Sequence, residues 1–355
     1  MHRPSLVAAV LVWSLTLLAA GCGEEPVSTT TPAVAPATAT PHPTAGARSD
    51  SPRGDAWATL PPLPGGARQE TGVVSVDGEL WVLGGFDAGG RIVARVEIYD
   101  PLAGEWRRGP DLPLPLHHAN VAVLDGTVYV AGFLSGPSFA ADGTVFALEP
   151  SGSWERRRSM PEGTHRGASG VTVAGGKLYV AGGFRGSAVD DFSAYDPATD
   201  RWTVLADLPV AADHLVAGAI DGIVYAAGGR GGSIASHRPR LDAYDPAIGR
   251  WSARASMPTS RAGAAAAVLD GRLYVFGGEG NGADATGVFS ETESYDPSED
   301  RWRTHAPMRT PRHGTGAAAV GGTIHVPGGA DVEGFGAVAV TEAFTPGTVA
   351  TDAAE

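Results

Sequence analysis

An all-β domain assembled from six copies of one four-stranded antiparallel unit is what the amino-acid sequence predicts, on three periodic signals. Trp recurs at 57, 106, 154, 202, 251 and 302, at intervals of 49, 48, 48, 49 and 51 residues. A glycine pair closes an apolar run at Gly84-Gly85, Gly182-Gly183, Gly228-Gly229, Gly277-Gly278 and Gly328-Gly329. An aromatic-acid-Pro turn follows at Tyr99-Asp100-Pro101, Tyr195-Asp196-Pro197, Tyr244-Asp245-Pro246 and Tyr295-Asp296-Pro297, with Leu148-Glu149-Pro150 and Phe344-Thr345-Pro346 as weaker copies.

The stretch from Arg166 to Pro209 shows the unit in full. Gly170 to Ala174, Lys177 to Ala181, Asp191 to Tyr195 and Arg201 to Leu205 read as short strands, separated by Gly-Gly, a Gly-rich loop and Asp-Pro. The glycine pair permits backbone angles that a Cβ resists where a strand ends and the chain must turn. The Trp supplies a large apolar body that packs one sheet on the next, since a lone four-stranded sheet cannot bury both faces. The first strands are rich in small residues, as in Thr71 to Val74, Ala168 to Val171, Ala264 to Ala267 and Gly316 to Ala319, which suits strands crowded about an axis. Asp77, Asp125, Asp221 and Asp270 each precede a Gly between the first two strands, and Asp-Gly is hairpin-turn chemistry. The second unit keeps Gly132 but carries Phe133 in place of the second glycine.

A period near 50 with a doubled glycine, a Tyr and a Trp in register resembles the kelch repeat. The resemblance covers about residues 57 to 346 and implies a six-bladed β-propeller with four-stranded antiparallel blades. The last unit stops without a Trp strand, whereas Trp57 to Leu63 precedes any complete unit. Trp57 to Leu63 is therefore expected to supply the outer strand of the last blade and close the ring.

Residues 1–22 read as an export signal, with an apolar run from Leu6 to Ala20 too short for an ordinary spanning helix. The ending Leu18-Ala19-Ala20-Gly21-Cys22 resembles a bacterial lipobox, which implies lipidation of Cys22, the one cysteine of the chain, and a lipid-anchored protein of the cell envelope. Residues 23–56 are rich in Thr, Pro, Ala and Ser and cannot bury a core, so a disordered tether of up to about 100 Å is expected. Residues 347–355 read as a flexible tail. The formal net charge of −13 argues against nucleic acid or an anionic membrane surface as the main partner.

In a meander of this kind the inter-blade segments and the loops after each Gly-Gly share one face. Sixteen residues before the first glycine stand Arg68, Leu116, Arg166, Ala212, Arg261 and Arg312. His117-His118 and Asp213-His214 lie beside the two positions without Arg, and His165 and His313 flank two of the arginines. A mouth lined by these groups is expected to attract an anion or carboxylate. The family implies ligand contact at this arginine position and just after the glycines, here Phe86, Leu134, Phe184, Arg230, Glu279 and Ala330. The site expected is thus Arg68, His118, Arg166, His214, Arg261 and Arg312 with Phe86, Phe184, Arg230 and Glu279. Arginine at that position also has a purely structural reading, as a donor to carbonyls of a neighbouring blade.

No fixed-spacing ligand set marks a zinc site, so neither metal nor cofactor is expected. Among propeller enzymes of this family, galactose oxidase needs a cysteine-crosslinked tyrosine that this domain lacks. Sialic acid mutarotase is similar in architecture and works without metal, with Glu279 the acid that would serve such chemistry. The leading expectation is a monomeric, non-catalytic protein that binds a protein or carbohydrate ligand, the alternative a cofactor-free mutarotase acting on an anionic sugar.

Overall fold

A computed structural model describes residues 54–149 and 152–347. The signal sequence, Cys22, the tether up to residue 53 and the tail from 348 lie outside the described residues. Six four-stranded antiparallel sheets follow one another as blades, and the helical content among the described residues is one 3-10 turn, Ile234–Ser236. Blade 3 shows the unit, with strands Gly170–Ala174, Lys177–Ala181, Phe192–Asp196 and Arg201–Val204, within one residue of the sequence expectation. The first strands of the blades surround the axis, each against the next and the sixth against the first. They begin slightly later than the small-residue runs do, at Gly72, Gly170, Ala265 and Ala318. Small residues are required there, since a Cβ on Gly316 would lie 2.9 Å from the Cβ of Val73 in the next blade.

The ring closes as the sequence implies. Ala56–Leu60 pairs antiparallel with Thr341–Thr345, with Trp57 opposite Phe344, and completes blade 6. Trp57 is buried against Phe276 and Phe344, at centroid distances of 5.7 and 5.1 Å. The tryptophans do more than pack. Each indole Nε1 donates to a carbonyl one blade back, from Trp106 to Pro61, Trp154 to Pro110, Trp202 to Arg158, Trp251 to Ala206, Trp302 to Ala255 and Trp57 to Ala306, at 2.8 to 3.2 Å. The bond made by Trp57 spans the closure, so the seam is held like every other junction.

Asp55 reinforces it. Its carboxylate accepts from the backbone N–H of Ala306 and of Gly347 and pairs with His305 at 3.1 Å. Asp200 and Asp300, likewise two residues before a Trp, accept from Arg158 and Ala255 in the same way.

The departure in the second unit has a visible effect. Without a second glycine the chain does not turn after Gly132, and Thr127–Ser135 and Ala140–Leu148 continue as one long hairpin. Elsewhere the second glycine's N–H donates across the junction to the carbonyl at the arginine position of the next blade, as Gly183 does to Ala212 and Gly278 to Arg312. In blade 2 the Asn120 side chain makes that bond instead, donating to Arg166 O at 2.9 Å. The hairpin tip brings Phe139 over the face described next.

Candidate ligand-binding mouth

The four arginines do not line the mouth. Arg68, Arg166, Arg261 and Arg312 are at most 1% exposed and turn into their own blades. Arg166 donates to Gly182 O, Val180 O, Thr164 O and Ser193 Oγ. The other three each meet a buried glutamate on the third strand, Arg68 with Glu97, Arg261 with Glu293 and Arg312 with Glu342. Burial pulls Arg68 and Arg166 down to about 10, which leaves both charged at neutral pH. Their work is structural: satisfying carbonyls under the Gly-Gly turn, with the acid as counter-charge.

The mouth is built two residues further on, by Glu70, His118, Ala168, His214, Gly263 and Gly314. All six have a left-handed backbone, with φ between 51° and 64°. Each N–H donates to the carbonyl of its counterpart in the preceding blade, Glu70 to Gly314, His118 to Glu70, Ala168 to His118, His214 to Ala168, Gly263 to His214 and Gly314 to Gly263. The bonds close a complete circle. Above the channel, this collar and the strand starts beside it surround a cavity of about 170 Å³.

Side chains of the collar and its neighbours form one polar network. Glu70 lies 3.1 Å from His118 Nε2. Asp213 accepts from His214 Nδ1 at 2.6 Å and pairs with Arg230 Nε at 2.9 Å, and Arg230 reaches on to Glu279. Glu279 Oε2 lies 3.5 Å from His313 Nδ1. Burial drives His117 down to about 4, and burial with the neighbouring His214, His117 and Arg230 takes His118 well below its ordinary value, so both rings stay neutral. Arg230 thus meets two carboxylates, Asp213 and Glu279, while Glu70 lies beside His118 and His313. The arginines expected to line this mouth are withdrawn into the blades, and the guanidinium of Arg230 beside it is already paired.

One side of the mouth is aromatic. Phe86 lies against His117 at a centroid distance of 4.3 Å with the rings tilted by 37°, and 6.0 and 5.9 Å from Phe139 and Phe335, which are 38 and 49% exposed. Phe139 has φ of 56°, a strained setting for a bulky residue.

Of the residues expected at the site, the structure brings together His118, His214, Phe86, Arg230 and Glu279. Phe184 is half-buried on blade 3 beside Gly167 and Ala188, away from the cluster. Glu279, the acid expected to serve sugar chemistry, is 2% exposed and bound to Arg230. Glu70, Phe139 and Phe335 were not anticipated; counting two residues past the arginine position would have found Glu70, at the same repeat position as His118 and His214.

A family profile described as "Kelch motif" matches residues 67–113, 165–209 and 260–309. The chain is 31% identical over 366 residues to Kelch-like protein terF of Aspergillus terreus, across 97% of this chain and 75% of that protein. It is 32% identical over 161 residues to Kelch-like protein 34 of Homo sapiens, across 44% of this chain and 25% of that protein. The solved structure of YjhT superposes with a TM-score of 0.65 at 16% identity, over 79% of this chain and 95% of that one, a likeness of fold alone. With the periodic signals, the six closed blades and a relative matched across 97% of this chain, the chain belongs to the kelch-repeat family of β-propellers.

Proposed function

We propose that this protein is an exported, lipid-anchored binding protein that holds a polypeptide partner on the mouth face of its propeller. The observation that carries this reading is the aromatic ledge: Phe139 and Phe335 stand exposed about Phe86 at the rim, with Val332 also exposed in the loop that carries Phe335. Solvent-facing aromatics clustered at the edge of a concavity are what the centre of a protein interface needs. Nothing in the packing of blades 1, 2 or 6 requires them to be exposed, and the left-handed backbone at Phe139 costs energy that a purely structural turn would avoid by using Gly. The chain's negative charge favours a partner that is basic around its apolar contact residue.

Replacing Phe139 and Phe335 together by Ala is expected to leave the melting temperature within about 2 °C of the parent, since both are half-exposed. Partner retention should fall at least tenfold when crosslinked complexes from envelope extracts are compared between parent and variant. Equal retention of the same proteins by both would remove the ledge from consideration. The sugar-enzyme alternative draws less support, because Glu279 is buried and committed to Arg230. For the anchor, Cys22→Ser is expected to move the mature protein from the membrane pellet to the soluble fraction; a protein that stays membrane-bound regardless is held by something other than acylation.

A further inference from the structure

We infer that the collar holds a divalent first-row transition ion, bound by Glu70, His118 and His214, with the unpartnered Nδ1 of His313 4.0 Å from Glu70 beside it. A carboxylate oxygen of Glu70 and one ring nitrogen each of His118 and His214 lie within 4.8 Å of one another. Metal–ligand bonds of about 2.0–2.2 Å set tetrahedral ligand separations of roughly 3.3–3.6 Å, so a pair at the 4.8 Å limit has to close by somewhat more than about 1 Å. Nothing in the sequence spacing shows this set, because each ligand comes from a different blade and the collar alone makes them neighbours.

The hydrogen bonds around the cluster say which nitrogen of each ring carries its proton. His117 Nε2 faces Gly136 O at 3.3 Å, and a carbonyl can only accept, so that nitrogen holds the hydrogen. His117 Nδ1 is then the acceptor for His118 Nδ1–H at 2.5 Å, which leaves His118 Nε2 as a lone pair facing Glu70. Asp213 accepts a hydrogen bond from His214 Nδ1–H, and Arg230 Nη2 donates toward His214 Nε2 at 3.3 Å, so His214 Nε2 is also a lone pair. His313 Nε2 donates to Val332 O at 3.0 Å, and its Nδ1 has no hydrogen-bond partner although the residue is 2% exposed. That orphaned nitrogen points at two carboxylates, 4.0 Å from Glu70 and 3.5 Å from Glu279.

Glu70, His118 Nε2 and His313 Nδ1 thus converge as acceptors, while Arg230 supplies its donors to His214 and Glu279, a costly arrangement in a buried setting unless a cation lies between. Two imidazoles with a carboxylate suit zinc or iron(II). The supports are in place too. Asp213 behind His214 and His117 behind His118 fix the ring orientations as carboxylate and carbonyl partners do at metal-binding histidines. Arg230 is neutralised by Asp213 and Glu279 and must withdraw Nη2 from His214 when the ion enters. The remaining coordination positions face the cavity, open to water or to a donor from a bound partner. The inference stands apart from the aromatic ledge, and neither needs the other.

The test is zinc binding to the untagged full chain in detergent, with any free thiol alkylated and metal first removed by chelation, read by equilibrium dialysis and by melting temperature. One equivalent of zinc is expected at micromolar free metal, with a rise in melting temperature. Glu70→Gln and His214→Gln should each weaken binding at least tenfold, whereas His165→Gln, outside the collar, should not change it. Two separate ligand variants guard against one that misfolds, and the melting temperature without metal identifies it. Absence of zinc binding by the parent, or binding by both ligand variants as tight as the parent's, overturns the inference.

Discussion

Trp57→Ala lowers the melting temperature by roughly 10 °C, because deleting a buried large aromatic costs about 3–5 kcal/mol and each kcal/mol is worth about 2–4 °C in a domain of this size. The side chain is 7% exposed, contacts Phe276 and Phe344, and donates across the junction to Ala306. Removing residues 55–63 altogether has a larger effect. Blade 6 is then left with three strands, the edge of Thr341–Thr345 is unpaired, and the staple from Asp55 to Ala306, His305 and Gly347 is lost. Such an edge is also a template for association with another chain. Calorimetry of the substitution and light scattering of the truncation measure the two effects. A truncated protein that melts with the parent and stays monodisperse would show that the terminal strand is not what closes the ring.

Arg312→Ala is the second large effect, at about 3–5 kcal/mol, the cost of leaving a buried acid without its partner. Glu342 is 1% exposed and its counter-charge is that guanidinium, which also holds Val326 O and Thr310 O. Blade 2 supplies the control. Where other blades pair Arg with an acid, it carries Leu116 and Phe146, both buried in one apolar cluster. The double change Arg312→Leu with Glu342→Phe, which copies that solution, is therefore expected to recover more than about 2 kcal/mol of the single variant's loss, as apolar replacement of a buried ion pair commonly does. Denaturant titration of parent, single and double variants decides it. A single variant as stable as the parent, or a double variant worse than the single, would mean that the pair contributes nothing to the blade.

The fold was legible because its signals repeat. A doubled glycine, a Tyr and a Trp mark one structural unit, and six recurrences outweigh any local ambiguity, including the Ala run at Ala264 to Ala267, which composition alone would assign to helix. The mouth was less legible, for a physical reason. Repetition marks architecture, and the arginine position repeats because it serves each blade's interior. Its partner repeats as well: Glu97, Ser193, Asp242, Glu293 and Glu342 all stand two residues before the aromatic of the turn. Where Ala212 replaces the arginine, Arg240, just before the strand Leu241–Asp245, holds Asp242. That correlation between the arginine and a buried acid was the missed sign of a structural role. His118 and His214 stand out beside the two positions without Arg, whereas Glu70 shares only their register, so a search by residue type overlooks it. Phe139 and Phe335 depend on loop paths that the repeat does not encode.

The collar of six backbone hydrogen bonds runs head to tail in one sense around the axis. Peptide dipoles arranged in a closed circle cancel across the plane of that circle, so the backbone favours no side of the opening. Whatever lopsidedness the mouth presents, from the bare Gly263 and Gly314 to Glu70 and the imidazoles either side of Ala168, is written in side chains alone. The frame can accordingly stay fixed while its chemistry is rewritten one blade at a time, with the left-handed backbone of each collar position as the standing constraint on which residues are admitted.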